Sequence, residues 1–289
     1  MNFFESLLEI LKSILMGIVQ GVTEWLPISS TGHLLLLDQF LHMTVSSDPA
    51  RNETFFGMFK VLIQLGSILA VLVLYFHKLN PFSPKKNAIQ KKDTWSLGFK
   101  VLVASIPAGV VGQLFDDIIE GTLSQWYVIA AALIVYGILF IWMENRHRTA
   151  KIEKFSQMDY RTALLIGAFQ MLALIPGTSR SGSTILGAVL LGCSRYIAAE
   201  FSFFMAIPVM VGASGYKLLK FGMKEGFGFT GLEWGVLLTG FIVAFVVSVV
   251  VIRFLMNFIK KHDFKPFGYY RIVLGVLVIL WFGIPLLIH

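Results

Sequence analysis

Apolar residues run through this chain in long blocks, at roughly 6–26, 31–43, 55–76, 97–115, 126–143, 160–175, 183–193, 197–216, 231–256 and 268–288, with short polar stretches between them. A helix needs about 20 apolar residues to cross a bilayer, and most blocks approach that length. The blocks at 31–43 and 183–193 fall well short. Each directly follows a break rich in Pro, Ser, Thr and Gly at the end of another apolar block. That pattern predicts the returning arm of a hairpin that enters and leaves the membrane on one side. The expected fold class is an all-α polytopic membrane protein with six transmembrane helices and two re-entrant helix-loop-helix hairpins.

The halves match at an offset near 150. Gly17-Ile-Val-Gln20 corresponds to Gly167-Ala-Phe-Gln170, Pro27 to Pro176, Gly32 to Gly182, and the Phe-rich entry at Phe55 to that at Phe201. A single membrane domain, 1–289, therefore divides into a first repeat of about 1–145 and a second of about 158–289. Each is a hairpin followed by three spans. Three is odd, so the second repeat should enter the membrane upside down relative to the first, an inverted-topology repeat.

Composition makes lipid the solvent: 56% of residues are hydrophobic, 14% are charged and mean hydropathy is +0.75, where soluble domains carry roughly 25% charge. The net charge of +7 sits mostly in loops, which points to topology and lipid headgroups, not to nucleic acid. Loops 77–97, 144–159 and 257–267 hold twelve Lys and Arg, including Arg146 and Arg148, while 44–54, 116–125 and 217–230 hold four, and Asp116, Asp117 and Glu120 make one of these acidic. The positive-inside rule places the first set in the cytoplasm and both termini outside. Glu5 and Glu9 stand where a signal peptide needs basic residues, so the first block is expected to remain in the mature protein. Cys193 is the one cysteine, in an apolar run, and reads as a small core residue.

Polar side chains inside such surroundings cost several kcal/mol each, roughly, unless they meet partners or a wet cavity. Two segments concentrate them: Gln20-Gly-Val-Thr-Glu24-Trp-Leu-Pro27-Ile-Ser29-Ser30-Thr31-Gly32-His33, and Gln170-Met-Leu-Ala-Leu-Ile-Pro176-Gly177-Thr-Ser179-Arg180-Ser181-Gly182-Ser183-Thr184. Gln20 and Glu24 are four apart, share a helical face and can hold one cation or one proton between them; a lone acid bonding a neighbouring helix is the plainer reading. Ser29, Ser30 and Thr31 precede a helix. N-capping explains one of these hydroxyls well and three poorly. His33 by itself reads as a structural hydrogen-bonding group, though a folded-back arm would bring it to Glu24. Gly177 to Thr184 is a turn opening a helix, with exposed N–H groups, the positive dipole end and the planar fork of Arg180. Together these form a phosphate cradle from Gly177, Ser179, Arg180, Ser181, Ser183 and Thr184. Snorkelling of Arg180 to an interface is the alternative. The run lacks the Gly-Lys-Ser/Thr ending of a Walker loop and does not fit a Gly-x-Ser-x-Gly elbow.

Gln20-x-x-x-Glu24, Pro27-Ile-Ser-Ser-Thr-Gly-His33 and Pro176-Gly-x-Ser-Arg-Ser-x-x-Thr184 resemble the signature motifs of the bacitracin-resistance type of undecaprenyl-diphosphate phosphatase. The likeness extends to Ile63-Gln-Leu-Gly-Ser-Ile-Leu-Ala70, Ser194-Arg-Tyr-x-Ala-x-Glu-Phe-Ser202 and the hydrophobic layout of nearly the whole chain. The resemblance implies a bacterial plasma-membrane enzyme that removes the terminal phosphate of a C55 polyprenyl diphosphate released during cell-wall synthesis. It also implies catalytic residues Ser30, Glu24, His33 and Arg180, with Gln20, Ser29 and Thr31 lining the substrate pocket. A divalent cation, Mg²⁺ or Ca²⁺, is expected near Glu24 and Gln20. Ser30 is the expected nucleophile, with Glu24 or His33 taking its proton; the other reading makes His33 the nucleophile or an activator of water. A polyprenyl-phosphate flippase or other secondary transporter would share the broken-helix repeat and the cradle, but has no need of Ser, Glu and His opposite Arg. Type-2 phosphatidic acid phosphatases carry superficially similar Ser-Gly-His and Ser-Arg elements, but here Leu186 and 188–191 continue as apolar helix.

Overall fold

A computed structural model describes residues 3–114, 125–146, 149–226 and 228–288. The acidic stretch Asp116, Asp117 and Glu120 lies outside the described residues, as does Arg148. Among the described residues the regular structure is helical, apart from one bridge between Ile152 and Cys193. Ten main helices follow one another: α1 Phe3–Thr23, α2 Ser30–Asp38, α3 Pro49–Leu74, α4 Ala88–Leu114, α5 Trp126–Asn145, α6 Tyr160–Met171, α7 Arg180–Leu190, α8 Arg195–Glu225, α9 Gly231–Phe258 and α10 Lys265–Ile288. One-turn helices at Phe76–Leu79, Phe155–Gln157 and Leu172–Leu174 join them.

The starts of these helices are written locally. The Asp48 carboxylate accepts from Ala50 N with Pro49 in the first turn of α3; Asp159 accepts from Thr162 N to open α6; Thr230 and Glu233 form a reciprocal box that opens α9. Several helices outrun their apolar blocks: α4 begins at Ala88 with Gln90, Lys91, Lys92 and Asp93 in its first turns, and α8 continues to Glu225. Apolar blocks mark where lipid is, whereas a helix ends where its hydrogen bonds stop, so spans protrude. Among the described residues seven helices are long and apolar enough to cross a membrane, and α1 is among them at 21 residues; α6, at 12, is not.

Packing follows a mirrored plan. α1 lies along α9, and α6 lies along α4; α3 meets α8, and α5 meets α10. Close approach in the first two pairs depends on glycine: a Cβ on Gly17 would sit 2.8 Å from the Gly240 carbonyl of α9, and one on Gly167 would sit 2.1 Å from the Ala104 carbonyl of α4. The largest apolar core, with Phe140, Phe201, Phe203 and Phe204 fully buried, centres on α8 and draws on α3 to α7 and α9. Cys193 is buried within the apolar core and serves there as a small packing residue.

The two ends of the bundle are distinct. At one, Lys78 pairs with buried Glu200, Arg195 pairs with buried Glu144, Glu144 also accepts from Phe264 N, and Lys151 N donates to Gly192 O. This end gathers the three basic loops. At the other, Thr44 N donates to Glu9, Lys12 donates to the His42 carbonyl, and Arg51 pairs with Glu233.

Candidate active site

Both polar segments break in the same way. After α1 the chain turns through Glu24 to Ile28 and restarts at Ser30; after the one-turn helix 172–174 it turns through Ile175 to Thr178 and restarts at Arg180. The residue before each restart is a serine with positive φ, 76° at Ser29 and 72° at Ser179. A non-glycine residue there is strained by an amount of order 1 kcal/mol. Each serine recovers a hydrogen bond, because its Oγ accepts from the N–H three residues on, Gly32 at 3.3 Å and Gly182 at 3.1 Å. Ser29 and Ser179 are therefore helix caps whose hydroxyls are largely engaged. Gly177 has φ 96°, and a Cβ on it would sit 2.7 Å from the Ile129 carbonyl, so only glycine fits.

The breaks meet. Glu24 Oε2 accepts from Ser30 Oγ at 2.7 Å and from Gln20 Nε2 at 3.0 Å, while Glu24 Oε1 accepts from Arg180 Nη2 at 3.1 Å. Ser181 Oγ reaches the Glu24 carbonyl at 3.2 Å. The guanidinium also donates from Nη1 to the Ser202 carbonyl at 2.7 Å and lies over the Trp25 ring. Glu24 is only 4% exposed, so its charge is balanced by Arg180 with little help from water. Three buried atoms here lack any partner: Gln20 Oε1, Arg180 Nε and Trp25 Nε1. Buried polar atoms are seldom left unpaired, and these three belong to residues packed around the Glu24–Arg180 pair.

Other expected site residues point elsewhere. His33 Nδ1 lies 2.7 Å from the Ser29 carbonyl and must donate to it, so in the neutral ring Nε2 is the acceptor, and it takes the Tyr270 hydroxyl at 2.7 Å. Its basic nitrogen thus faces Tyr270, not Ser30. Ser183 donates to the Tyr136 hydroxyl at 3.0 Å, and Thr184 shares a 2.6 Å bond with the Ser202 hydroxyl. Thr31 is exposed in the first turn of α2.

Arg271 of α10 was not anticipated. It is wholly buried and donates to the Pro27 carbonyl at 2.9 Å and to the Gly177 and Thr178 carbonyls at 2.8 and 2.9 Å, tying both breaks together. A signal existed: it is the one charged residue in the 268–288 block, and an arginine inside an apolar span is a functional candidate by default.

A bundle of apolar helices, several long enough to cross a membrane, whose two broken segments set Ser30, Glu24 and Arg180 together defines a helical membrane protein with a candidate polar site between its halves. Residues 13–277 match the family described as bacitracin resistance protein BacA. The chain is 60% identical over 277 residues to undecaprenyl-diphosphatase 1 of Clostridioides difficile strain 630, covering 96% of this chain and 97% of that one. It is 56% identical to the undecaprenyl-diphosphatase of Acetivibrio thermocellus, covering 96% and 98%, and 54% identical to that of Enterococcus faecalis V583, covering 93% and 95%. The chain belongs to the BacA family.

Proposed function

We propose that this chain hydrolyses undecaprenyl diphosphate to the monophosphate and phosphate in a bacterial plasma membrane. The observation that carries the reading is the 2.7 Å bond from Ser30 Oγ to Glu24, a carboxylate that also receives Arg180 from the other repeat. Ser30 Oγ forms a bond to the terminal phosphorus as the bond to the bridging oxygen breaks, and its proton passes to Glu24 Oε2. Glu24 gives that proton to the departing monophosphate, takes one from a water that attacks the phosphoserine, and returns it to Ser30 Oγ. Phosphoryl transfer is limited by positioning and charge stabilisation, which Arg180 supplies through its unpaired Nε and the spare protons of its two Nη atoms. With its basic nitrogen turned to Tyr270, His33 orients the start of α2, and Glu24 is the base. The capping role of Ser29 and Ser179 leaves Ser181 and the turn itself as the cradle behind Arg180.

The donor set fits a divalent cation, Mg²⁺ or Ca²⁺, only together with substrate. Gln20 Oε1 is an unpaired oxygen beside the Glu24 carboxylate, and among the described residues no three His, Cys, Asp or Glu side chains cluster as a metal cage. Gln20 and Glu24 would hold the ion, diphosphate oxygens would complete its shell, and it would neutralise charge on the phosphates. Phosphate release from polyprenyl diphosphate by the purified chain, with and without chelator, tests this. Absence of release from folded protein would favour the second reading, a lipid-phosphate flippase, which the mirrored packing also suits.

In the membrane, the proposed arrangement is six spans with two re-entrant hairpins, α1–α2 from outside and α6–α7 from inside, and both termini outside. The mirrored contacts of α1 with α9 and α6 with α4 support it, as does the gathering of the basic loops at one end. Single-cysteine labelling in a Cys193→Ala background is expected to find Lys151 inside and Ser47 outside; labelling of both from one side would overturn the topology.

A further inference from the structure

One cavity, lined by lysines and apolar side chains, shares no residue with the Ser30–Glu24–Arg180 centre. It has a volume of about 580 Å³ and lies at the basic end, walled by the end of α3, the turn around Lys78, the start of α4 and Phe155. Pockets of roughly 300–1,000 Å³ hold small ligands. Four lysines line this one, Lys78, Lys85, Lys86 and Lys100, against a single carboxylate, Asp93.

These charges are unevenly matched. Lys78 is neutralised from beneath by Glu200 at 2.6 Å. Lys86 donates to the Lys78 and Asn80 carbonyls and to Thr94 Oγ1, all neutral acceptors, so its protons are satisfied but its charge is not. Lys100 is only 6% exposed, and its ammonium has one hydrogen-bond acceptor, the Phe155 carbonyl at 3.0 Å, with the Tyr160 ring beyond it. Among the described residues it makes no ion pair. Asp93 and Asp159 attract it only from beyond contact; a buried ammonium with no direct counter-ion is costly, and it faces a cavity whose mouth carries the exposed Lys85. The missing component is an anion with several acceptor oxygens, the chemistry of a phosphate group.

The level at which the cavity opens, marked by aromatic residues outside its lining, says where that phosphate comes from. Phe82, Trp95 and Phe99 contact one another in a row, edge to face and then stacked, and all three are exposed. Aromatic rings left exposed beside the polar end of an apolar helix are the pattern of a membrane interface, and basic pockets between helices at that level bind anionic headgroups. We infer that this cavity holds the headgroup phosphate of an anionic phospholipid, its acyl chains running into the bilayer, and that the site is separate from the one that takes the diphosphate.

The test is native mass spectrometry of the purified full chain in detergent with added phosphatidylglycerol, phosphatidylcholine or inorganic phosphate. One phosphatidylglycerol per chain should survive activation that strips phosphatidylcholine. A surface lysine contributes about 1 kcal/mol to anionic-lipid binding, a factor of about five. Lys100→Gln and Lys85→Glu should therefore each lower retention at least that much, while Lys100→Arg keeps it. Should Lys100→Gln fail to fold, Lys85→Glu still decides, because that side chain is exposed. Equal retention of the two lipids, or retention unchanged in Lys85→Glu, would overturn the site. Inorganic phosphate that binds in a Lys85-dependent way while phosphatidylglycerol does not would overturn the lipid as its occupant.

Discussion

The two broken segments are nearly the same structure carrying different chemistry. With the capping serines aligned, the offset is 150 throughout: Ser29 with Ser179, Gly32 with Gly182, Gln20 with Gln170. The carbonyls of Pro27 and Gly177, equivalent on this register, both accept from Arg271; proline therefore matches glycine, not Pro176. Residues 33 and 183 each bond a tyrosine, Tyr270 for His33 and Tyr136 for Ser183. The halves diverge where chemistry is needed. Position 30 is the hydroxyl and its counterpart 180 is the guanidinium; position 24 is the carboxylate and its counterpart is Leu174. Gln20 therefore has a partner in Glu24, while Gln170 is buried with neither amide atom paired. The capped break is built twice, and the residue after the cap differs, Ser30 in one half and Arg180 in the other.

The largest effect should come from removing the divergent hydroxyl. Ser30→Ala should lower phosphate release by about 10³-fold or more, with substrate still bound, since the covalent step is lost and the Arg180 half stays intact. Trapped phosphoenzyme mapping to His33, or a fully active Ser30→Ala, would sink the serine assignment. Arg180→Lys should cost about 10²-fold, because a point ammonium cannot both hold Glu24 and Ser202 and present a fork to phosphate. Near-normal turnover with lysine would reduce position 180 to a structural charge.

Arg271→Lys probes what the halves share. One ammonium cannot reach both breaks as a guanidinium does, and each buried carbonyl left unpaired costs about 1–3 kcal/mol. Thermal unfolding should show a lower midpoint, and activity should fall by about ten-fold, roughly what a 1.4 kcal/mol displacement of the site would cost. Unchanged melting would mean the carbonyls find other donors. The smallest effect belongs to Gln170, the counterpart of Gln20. Gln170→Leu removes two unpaired buried polar atoms, so it should leave activity within about two-fold and raise the melting point slightly, whereas Gln20→Leu should impair turnover. If Gln170→Leu inactivates, position 170 serves a ligand, and the account of the halves is wrong.

Much of this was legible because hydrocarbon punishes polarity. Glu24, Ser30 and Arg180 stood out as polar residues in apolar blocks, and the match near 150 residues announced that their segments are equivalent. Spacing alone does not separate Ser29 from Ser30, and the resemblance singled out Ser30; the φ of 76° makes Ser29 a cap and leaves Ser30 to face Glu24. His33 by itself reads as a structural hydrogen-bonding group, but its partner and ring direction depend on Tyr270, which lies 237 residues away in sequence.

The sequence alone determined the solvent, the helical class, the doubled break and the residue types able to bind phosphate, because hydropathy, spacing and side-chain chemistry are local properties. Only the tertiary structure decided which oxygen meets which nitrogen: the Glu24–Arg180 pair spans 156 positions and the Arg271–Pro27 bond spans 244. Such contacts depend on how helices from two repeats cross, and that follows from close approaches such as Gly17 on Gly240, which no single segment encodes.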